Sequence, residues 1–181
     1  MDNAALDKLR YPIGKFTPPV DYTPASRTKA IGRLKGLPSL LRQTSYNLTD
    51  DQLDKPYRAG GWTSRQIIHH LADSHINSFT RFKLSLTEDC PTIKAYDQQA
   101  WVKGSDASLP ISTSLNILDG VHQRLVNVLE NMTHEDFKRT FRHPEQGDKK
   151  LGLDWMLSLY AWHGHHHLHQ IKELKTREKW V

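Results

Sequence analysis

Apolar residues recur at helical spacing in four long segments of this 181-residue chain, and this pattern constrains the fold more than any other feature. The clearest stripe contains Leu115, Leu118, His122, Leu125 and Leu129, at alternating spacings of three and four. Such a stripe covers one face of an α-helix and is typical of a bundle seam. We therefore predict an all-α protein built on an antiparallel four-helix bundle.

Capping residues and prolines set the expected ends of these helices. We predict long helices over about residues 24–47, over 63–87, from 112 onward and over 153–177. Thr63 and Gln66 form a capping-box pattern at the start of the second helix. Pro38 lies inside the first helix, and we expect it to kink that helix or to begin a new segment, because proline lacks the required N–H.

Two segments outside the helices complete the expected single domain over residues 1–181. Residues 1–22 are rich in proline and show little periodicity, so we predict an extended N-terminal arm on the surface. Residues 88–110 form a long crossover loop, and loops of this length in a compact domain are often functional. We expect this loop to border the functional site, with Tyr96 and Trp101 nearest the opening.

Composition argues against several classes of protein. The net charge is +5, but the 25 basic residues are interleaved with 20 acidic ones along the whole chain, so nucleic-acid binding is not expected. No apolar run approaches the roughly 18 residues of a membrane span, and residues 1–16 lack a signal-peptide pattern. Cys90 is the sole cysteine, which excludes an intrachain disulfide and a cysteine-rich zinc module. The expected location is cytoplasmic, with no membrane partner.

Five histidines lie in the stretch WHGHHHLHQ, within the last predicted helix. The apolar residues before and after this stretch define a stripe, which passes through His163, His167 and Gln170. His165 and His169 are also four residues apart, but they project from a different side. Imidazoles at positions i and i+4 can share one metal ion, and the stripe selects His163 and His167 as the inward pair.

The second helix supplies a further inward histidine in the stretch IIHHLADSH. His70 lies on the same face as Ile67 and Leu71, whereas His69 lies off that face. Three buried imidazoles without partners are costly, and one divalent cation would satisfy them all. Three neutral ligands also leave a coordination position open, as in catalytic rather than structural zinc sites. His122 could close that position, but we expect it to stay outside bonding distance.

Several stretches resemble a known family. GGWTSRQIIHHLADSH and WHGHHHLHQ are similar to the DinB-like superfamily of four-helix bundles, and YPIGKF, PYRAGGWTSRQ and FKRTFRHP resemble its YfiT group from Bacillus and relatives. The resemblance extends from about Leu9 to Trp180. It implies metal ligands at His70, His163 and His167, one zinc or nickel ion per subunit, and a cytoplasmic homodimeric enzyme. Family members are labelled metal-dependent hydrolases, and related ones resemble S-transferases that use bacillithiol or mycothiol.

The three ligands leave the type of reaction open. A metal-dependent S-transferase would activate a small thiol for attack on an electrophile, and Arg65 and Arg81 are candidates for binding an anionic thiol. A hydrolase would activate water and use a nearby carboxylate as base, for which Asp73 is the first candidate. A metal-binding stress-response module without catalysis is a third possibility. It would be favoured by a fourth protein ligand.

Overall fold

The computed structural model describes residues 3–180, which form mainly α-helices. The helices are α1 (Asn3–Arg10), α2 (Pro24–Ser45), α3 (Asp50–Leu53), α4 (Ser64–Thr87), α5 (Gln98–Trp101), α6 (Ile111–Glu130), α7 (His134–Lys138) and α8 (Leu153–Glu178). A small antiparallel hairpin of β1 (Thr140–Arg142) and β2 (Lys150–Gly152) precedes α8. The four long helices α2, α4, α6 and α8 form a bundle, which confirms the predicted fold class.

The order of the helices around the bundle differs from their order in the chain. α8 packs against α2 and α4, and α6 packs against the same two helices on the other side. α4 and α8 run antiparallel, since His70 faces His167 while Arg81 contacts Tyr160. The predicted neighbourhood of the second and fourth long helices is therefore confirmed.

The crossover loop allows two consecutive long helices, α4 and α6, to run in the same direction. Early residues of α4 and α6 meet through His69 and Ser114, and later residues meet through His75 and His122, so these two helices run parallel. A parallel pair of neighbouring helices requires a connection that returns along the whole bundle. Residues 88–110 provide that connection, and they contain α5 and a short 3₁₀ turn.

Pro38 does not begin a new segment, which was one of the two expected outcomes. The helix continues from Pro24 to Ser45, and Pro38 is buried within it. Proline has no N–H for the carbonyl of Leu34, four residues earlier. His122 Nδ1 on α6 donates to this carbonyl at 2.7 Å instead. The lost helical hydrogen bond is therefore replaced from a neighbouring helix.

The N-terminal arm is extended only in part. Residues 3–10 form α1, which packs on α8, so the prediction of an extended arm was wrong there. The sequence NAALDKLR contains good helix formers, and packing on α8 stabilises a helix too short to persist alone. The chain is non-helical over residues 11–23, where Trp162 Nε1 donates to the Gly14 carbonyl. The first two residues of the predicted arm lie outside the described part.

The bundle core consists of two apolar clusters separated by histidines. Along α6, Leu118 belongs to one cluster and Leu125 to the other, with the buried His122 between them. We call this layer of side chains the histidine layer; its members are His70, His75, His122, His163 and His167. Within residues 3–180, no helix is both long enough and apolar enough to cross a membrane.

Candidate metal centre

Three members of the histidine layer converge on one point. α4 contributes His70, and α8 contributes His163 and His167 from successive turns. The Nε2 atoms of His70 and His163 are 3.2 Å apart, and one ligand nitrogen from each of the three rings lies within 4.8 Å of the others. The structure thus brings together the three histidines selected from the sequence.

The charge state of these rings suits a metal ion. Burial lowers the pKa of His70 to about 4 and the pKa values of His163 and His167 well below the usual value. All three imidazoles are therefore neutral at pH 7 and offer lone pairs. Two imidazole nitrogens on one tetrahedral zinc ion lie about 3.3 Å apart, which matches the 3.2 Å separation of His70 and His163. The donor set fits zinc, and imidazole suits nickel equally.

The orientation of His167 is set by Gln170. His167 Nδ1 donates to Gln170 Oε1 at 2.8 Å, which leaves its Nε2 free as a ligand. The amide nitrogen of Gln170 donates to the Arg10 carbonyl at 3.0 Å, and this contact fixes which way the amide faces. Trp62 covers the rings of His70 and His167, with ring centroids 4.6 and 5.9 Å away. Trp62 therefore packs over this side of the site, next to a cavity of about 220 Å³ that reaches His167.

The other two histidines of the i, i+4 pattern lie elsewhere. His165 contacts the Arg33 carbonyl through Nε2, and His169 Nδ1 contacts the His165 carbonyl at 2.8 Å. Between the two faces, Gly164 presses against α2, where an added Cβ would lie 2.2 Å from Leu37 Cδ2. The absence of a larger residue at position 164 therefore reflects helix packing.

A cavity of about 600 Å³ reaches His163 from the side of the crossover loop. Its polar and aromatic walls include Ser74, Arg81, Tyr96, His143, Tyr160 and His163. Arg81 donates to the Tyr160 hydroxyl at 3.1 Å and to the Lys94 carbonyl at 3.0 Å. Its Nε is buried and has no partner among residues 3–180. A guanidinium held in this way can bind an anionic group that enters the cavity.

The crossover loop borders the cavity as expected, but its two aromatic residues, Tyr96 and Trp101, lie in different positions. Tyr96 lines the cavity, and burial raises the pKa of its hydroxyl to about 12, so the group stays protonated. Trp101 packs on Tyr96 with ring centroids 4.4 Å apart, and 46% of its surface is exposed. Trp101 therefore supports the wall formed by Tyr96.

The other candidate residues lie in three different environments. Asp73 is half-buried, and burial together with the nearby charge of Asp106 raises the pKa of its carboxyl group to about 6. Arg65 is held by Asp50 and Asp54, each at 2.7 Å, and these hydrogen bonds raise the pKa of its guanidinium. Arg81 lines the cavity at His163, whereas Arg65 faces a different surface depression.

Two histidines near the site were missed in the sequence. His143 follows β1 and lines the cavity, and in the sequence it was noted only as part of the stretch FKRTFRHP. His75 is fully buried, with its ring 5.7 Å from that of His163. His75 follows His70 by five residues, and this spacing does not place two side chains on the same face of a helix. His122 binds the Leu34 carbonyl and His75, and it is not part of the converging group.

Comparisons with known proteins agree with this geometry. The DinB superfamily matches residues 33–171. Two proteins named "Putative metal-dependent hydrolase", from Bacillus cereus strain B4264 and Bacillus mycoides strain KBAB4, are each 46% identical over 175 residues, covering 97% of this chain and 100% of the relative. YfiT from Bacillus subtilis is described as "a probable metal-dependent hydrolase with an unusual four-helix bundle topology". Its structure is 44% identical, with a TM-score of 0.92 over 96% of this chain and 99% of that one.

Proposed function

Because the chain belongs to the DinB superfamily and brings His70, His163 and His167 together, we propose that it is a metal-dependent thiol S-transferase. In this proposal the three histidines hold one zinc or nickel ion per chain. A small thiol attacks an electrophilic substrate beside the ion. The observation that carries the choice of a thiol with an anionic group is the position of Arg81 in the cavity that reaches His163.

The cavity has the size and charge that two small reactants require. Its volume of about 600 Å³ lies within the range of roughly 300–1,000 Å³ that is typical of small-molecule sites. The buried Nε of Arg81 lacks a partner among the described residues and so offers a hydrogen bond to a carboxylate or phosphate. Tyr96 and Tyr160 stay protonated, because burial raises the pKa of each hydroxyl.

A divalent ion in this site would supply Lewis acidity, which can lower the pKa of a thiol or of a water molecule in its open position. The chain itself would orient the reactants: Arg81 binds the anionic end of the thiol, and Trp62 packs on the rings of His70 and His167 and holds them in place. In S-transfer the thiol loses its proton to solvent and its sulfur bonds to the electrophilic carbon, while the bond from that carbon to the leaving group breaks and the leaving group departs with the electron pair.

Hydrolysis is the second candidate, favoured by Asp73. Its carboxyl pKa of about 6 suits a general base near neutral pH, and it lies one turn after His70 on α4. The names of the relatives also favour hydrolysis. In this case Asp73 would accept a proton from the attacking water.

One assay separates the two reactions. The zinc-loaded protein is incubated with a thiol and monochlorobimane, and separately with p-nitrophenyl acetate without thiol. An S-transferase gives a thiol-dependent rate above the protein-free background, which disappears after chelation and in His163→Ala. A chelation-sensitive rate with the ester alone would support the hydrolase instead. No zinc-dependent rate in either assay would contradict both.

The role of Arg81 is tested with a charged and a neutral thiol. Arg81→Gln should lower kcat/KM for mercaptosuccinate about 10-fold or more, since a hydrogen bond to a charged group contributes about 1.5–3 kcal/mol. The rate with 2-mercaptoethanol should change little. Equal losses with both thiols would show that Arg81 acts only through its contacts with Tyr160 and Lys94. Arg65→Gln is the matched control, because Arg65 lies outside the cavity.

A further inference from the structure

A chain of hydrogen bonds leads from a backbone carbonyl in α2 towards the candidate metal centre. We propose that His122 and His75 are positioning residues, and that Nε2 of His75 accepts the Nδ1–H of His163 when His163 binds a metal through Nε2. This inference rests on the proposed metal site but not on the type of reaction. It assigns a function to two buried histidines that do not belong to the converging group.

The relay begins at Pro38. Because Pro38 has no N–H, the Leu34 carbonyl lacks its helical donor, and His122 Nδ1 lies 2.7 Å from it. A carbonyl oxygen only accepts hydrogen bonds, so Nδ1 of His122 must carry a proton. Burial lowers the pKa of His122, which keeps the ring neutral. Its Nε2 is therefore unprotonated and must accept a hydrogen bond.

The tautomer of His122 determines that of His75. Nε2 of His122 is 2.9 Å from Nδ1 of His75, so Nδ1 of His75 must donate. His75 is fully buried, and a neutral ring carries a proton on only one of its two nitrogens. Nε2 of His75 is then left as a bare acceptor. This atom is fully buried and has no partner within residues 3–180.

A complementary donor lies on the adjacent ring. His163 directs Nε2 towards His70, so a metal-binding His163 carries its proton on Nδ1. That Nδ1 is also buried and without a partner among the described residues. The rings of His75 and His163 have centroids 5.7 Å apart at an interplanar angle of 35°. Neither atom has a partner in the metal-free structure, and in our proposal the bare acceptor of His75 and the required donor of His163 pair when a metal is bound.

The relay would do for His163 what Gln170 does for His167. Gln170 Oε1 accepts from Nδ1 of His167, which directs the Nε2 of His167 to the site. An acceptor on Nδ1 fixes the orientation of a metal-binding imidazole and makes it a stronger donor to the metal. In this scheme the tautomer at His163 is set, through His75 and His122, by a carbonyl that Pro38 leaves free.

The tautomers can be read directly in the unaltered protein. Two-bond ¹H–¹⁵N correlation spectra of ¹⁵N-labelled protein distinguish protonated from bare ring nitrogens. We expect His122 and His75 to be protonated on Nδ1 and bare on Nε2, both without zinc and with one equivalent of zinc. A proton on Nε2 of His75 in the zinc-loaded protein would overturn the proposal. The zinc-free spectrum tests the tautomers of His122 and His75 even if the protein binds no zinc.

Zinc affinity provides a second readout. His75→Phe removes the acceptor and should weaken zinc binding about 10–100-fold in competition with a chromophoric chelator, as is usual when a partner of a metal ligand is lost. His75→Gln is the matched variant, because its Oε1 can still accept from His163, and we expect affinity close to that of the unaltered protein. Helical circular dichroism of both zinc-free variants checks folding. Equal affinity in the two variants, whether retained or lost, would contradict the relay.

Discussion

The last helix of the bundle carries two histidine pairs with the same spacing but opposite surroundings. His163 and His167 face α4, where burial holds their pKa values well below normal and their lone pairs converge with that of His70. His165 and His169 instead contact backbone carbonyls of α2 and α8. The i, i+4 spacing alone therefore does not make a metal site. A third ligand on a neighbouring helix distinguishes the two pairs.

The largest expected effect is a difference in zinc content between two variants, each with one histidine of α8 replaced by alanine. His163→Ala should remove most bound zinc, because it leaves two ligands of three. His165→Ala should leave the zinc content of about one ion per chain nearly unchanged. Metal analysis of both purified variants after dialysis against zinc makes the comparison. An equal loss in the two variants would mean that both faces contribute ligands.

Acid should destabilise the metal-free protein, because His70, His163 and His167 are buried in the neutral form. The folded-state pKa of His70 is about 4, below the 6.5 of an unfolded chain, so the unfolded state binds more protons between these values. Stability from this group is present above pH 6.5 and is lost as pH falls towards 4, by about 3 kcal/mol. His163 and His167 act in the same direction. Asp73, whose pKa is raised to about 6, partly opposes them.

Urea unfolding of the chelator-treated protein between pH 7.5 and 4.5 measures this dependence. The account expects the free energy of unfolding to fall across the range, and the fall to be smaller in His163→Ala. A flat or rising profile would contradict the buried, neutral state of the inner histidines.

Loss of Gln170 tests whether the inner pair depends on supporting contacts. Gln170→Leu removes the acceptor for His167 Nδ1 and the donor to the Arg10 carbonyl. We expect zinc affinity to fall about 10–100-fold, by chelator competition. Lys172→Leu, at a half-buried position two residues later on α8, is the control and should not change affinity. Unchanged binding in Gln170→Leu would show that His167 needs no partner.

The smallest expected effects are changes in the free energy of unfolding when Gly164 in α8 and Gly120 in α6 are replaced by alanine. Gly164→Ala adds a Cβ 2.2 Å from Leu37, so we expect a loss of about 1–3 kcal/mol in the free energy of unfolding. Gly120 in α6 has nothing within 4 Å of an added Cβ, and Gly120→Ala should stabilise by about 0.5–1 kcal/mol. Thermal unfolding of both variants tests the opposite signs. Stabilisation by both substitutions would remove the packing reason for Gly164.

The inner face of α8 could be predicted because apolar residues on both sides of the histidine stretch fix its helical phase. The same reasoning placed His70 on α4. The order of helices around the bundle could not be read in this way, since periodicity shows which face is buried but not which helix covers it. For the same reason the acidic partners of Arg65, which lie in and next to α3, were not foreseen. The place of His143 in the cavity wall could not be predicted either, because it depends on how the hairpin of β1 and β2 packs beside the cavity.

The expectation that Pro38 could begin a new segment considered the helix alone. A proline leaves a carbonyl unpaired, but a donor from another helix can replace the missing bond, as His122 does here. The helical conformation of α1 was missed for a related reason. Its eight residues are too few to form a stable helix alone, and contact with α8 stabilises them.

A crystal structure of the zinc-soaked protein, with anomalous diffraction at the zinc edge, tests the central claim most directly. The account predicts one anomalous peak per chain, about 2.1 Å from a ring nitrogen of each of His70, His163 and His167, with a coordination position free of protein ligands. A peak at His165 and His169, or a site closed by His122 as a fourth ligand, would contradict it.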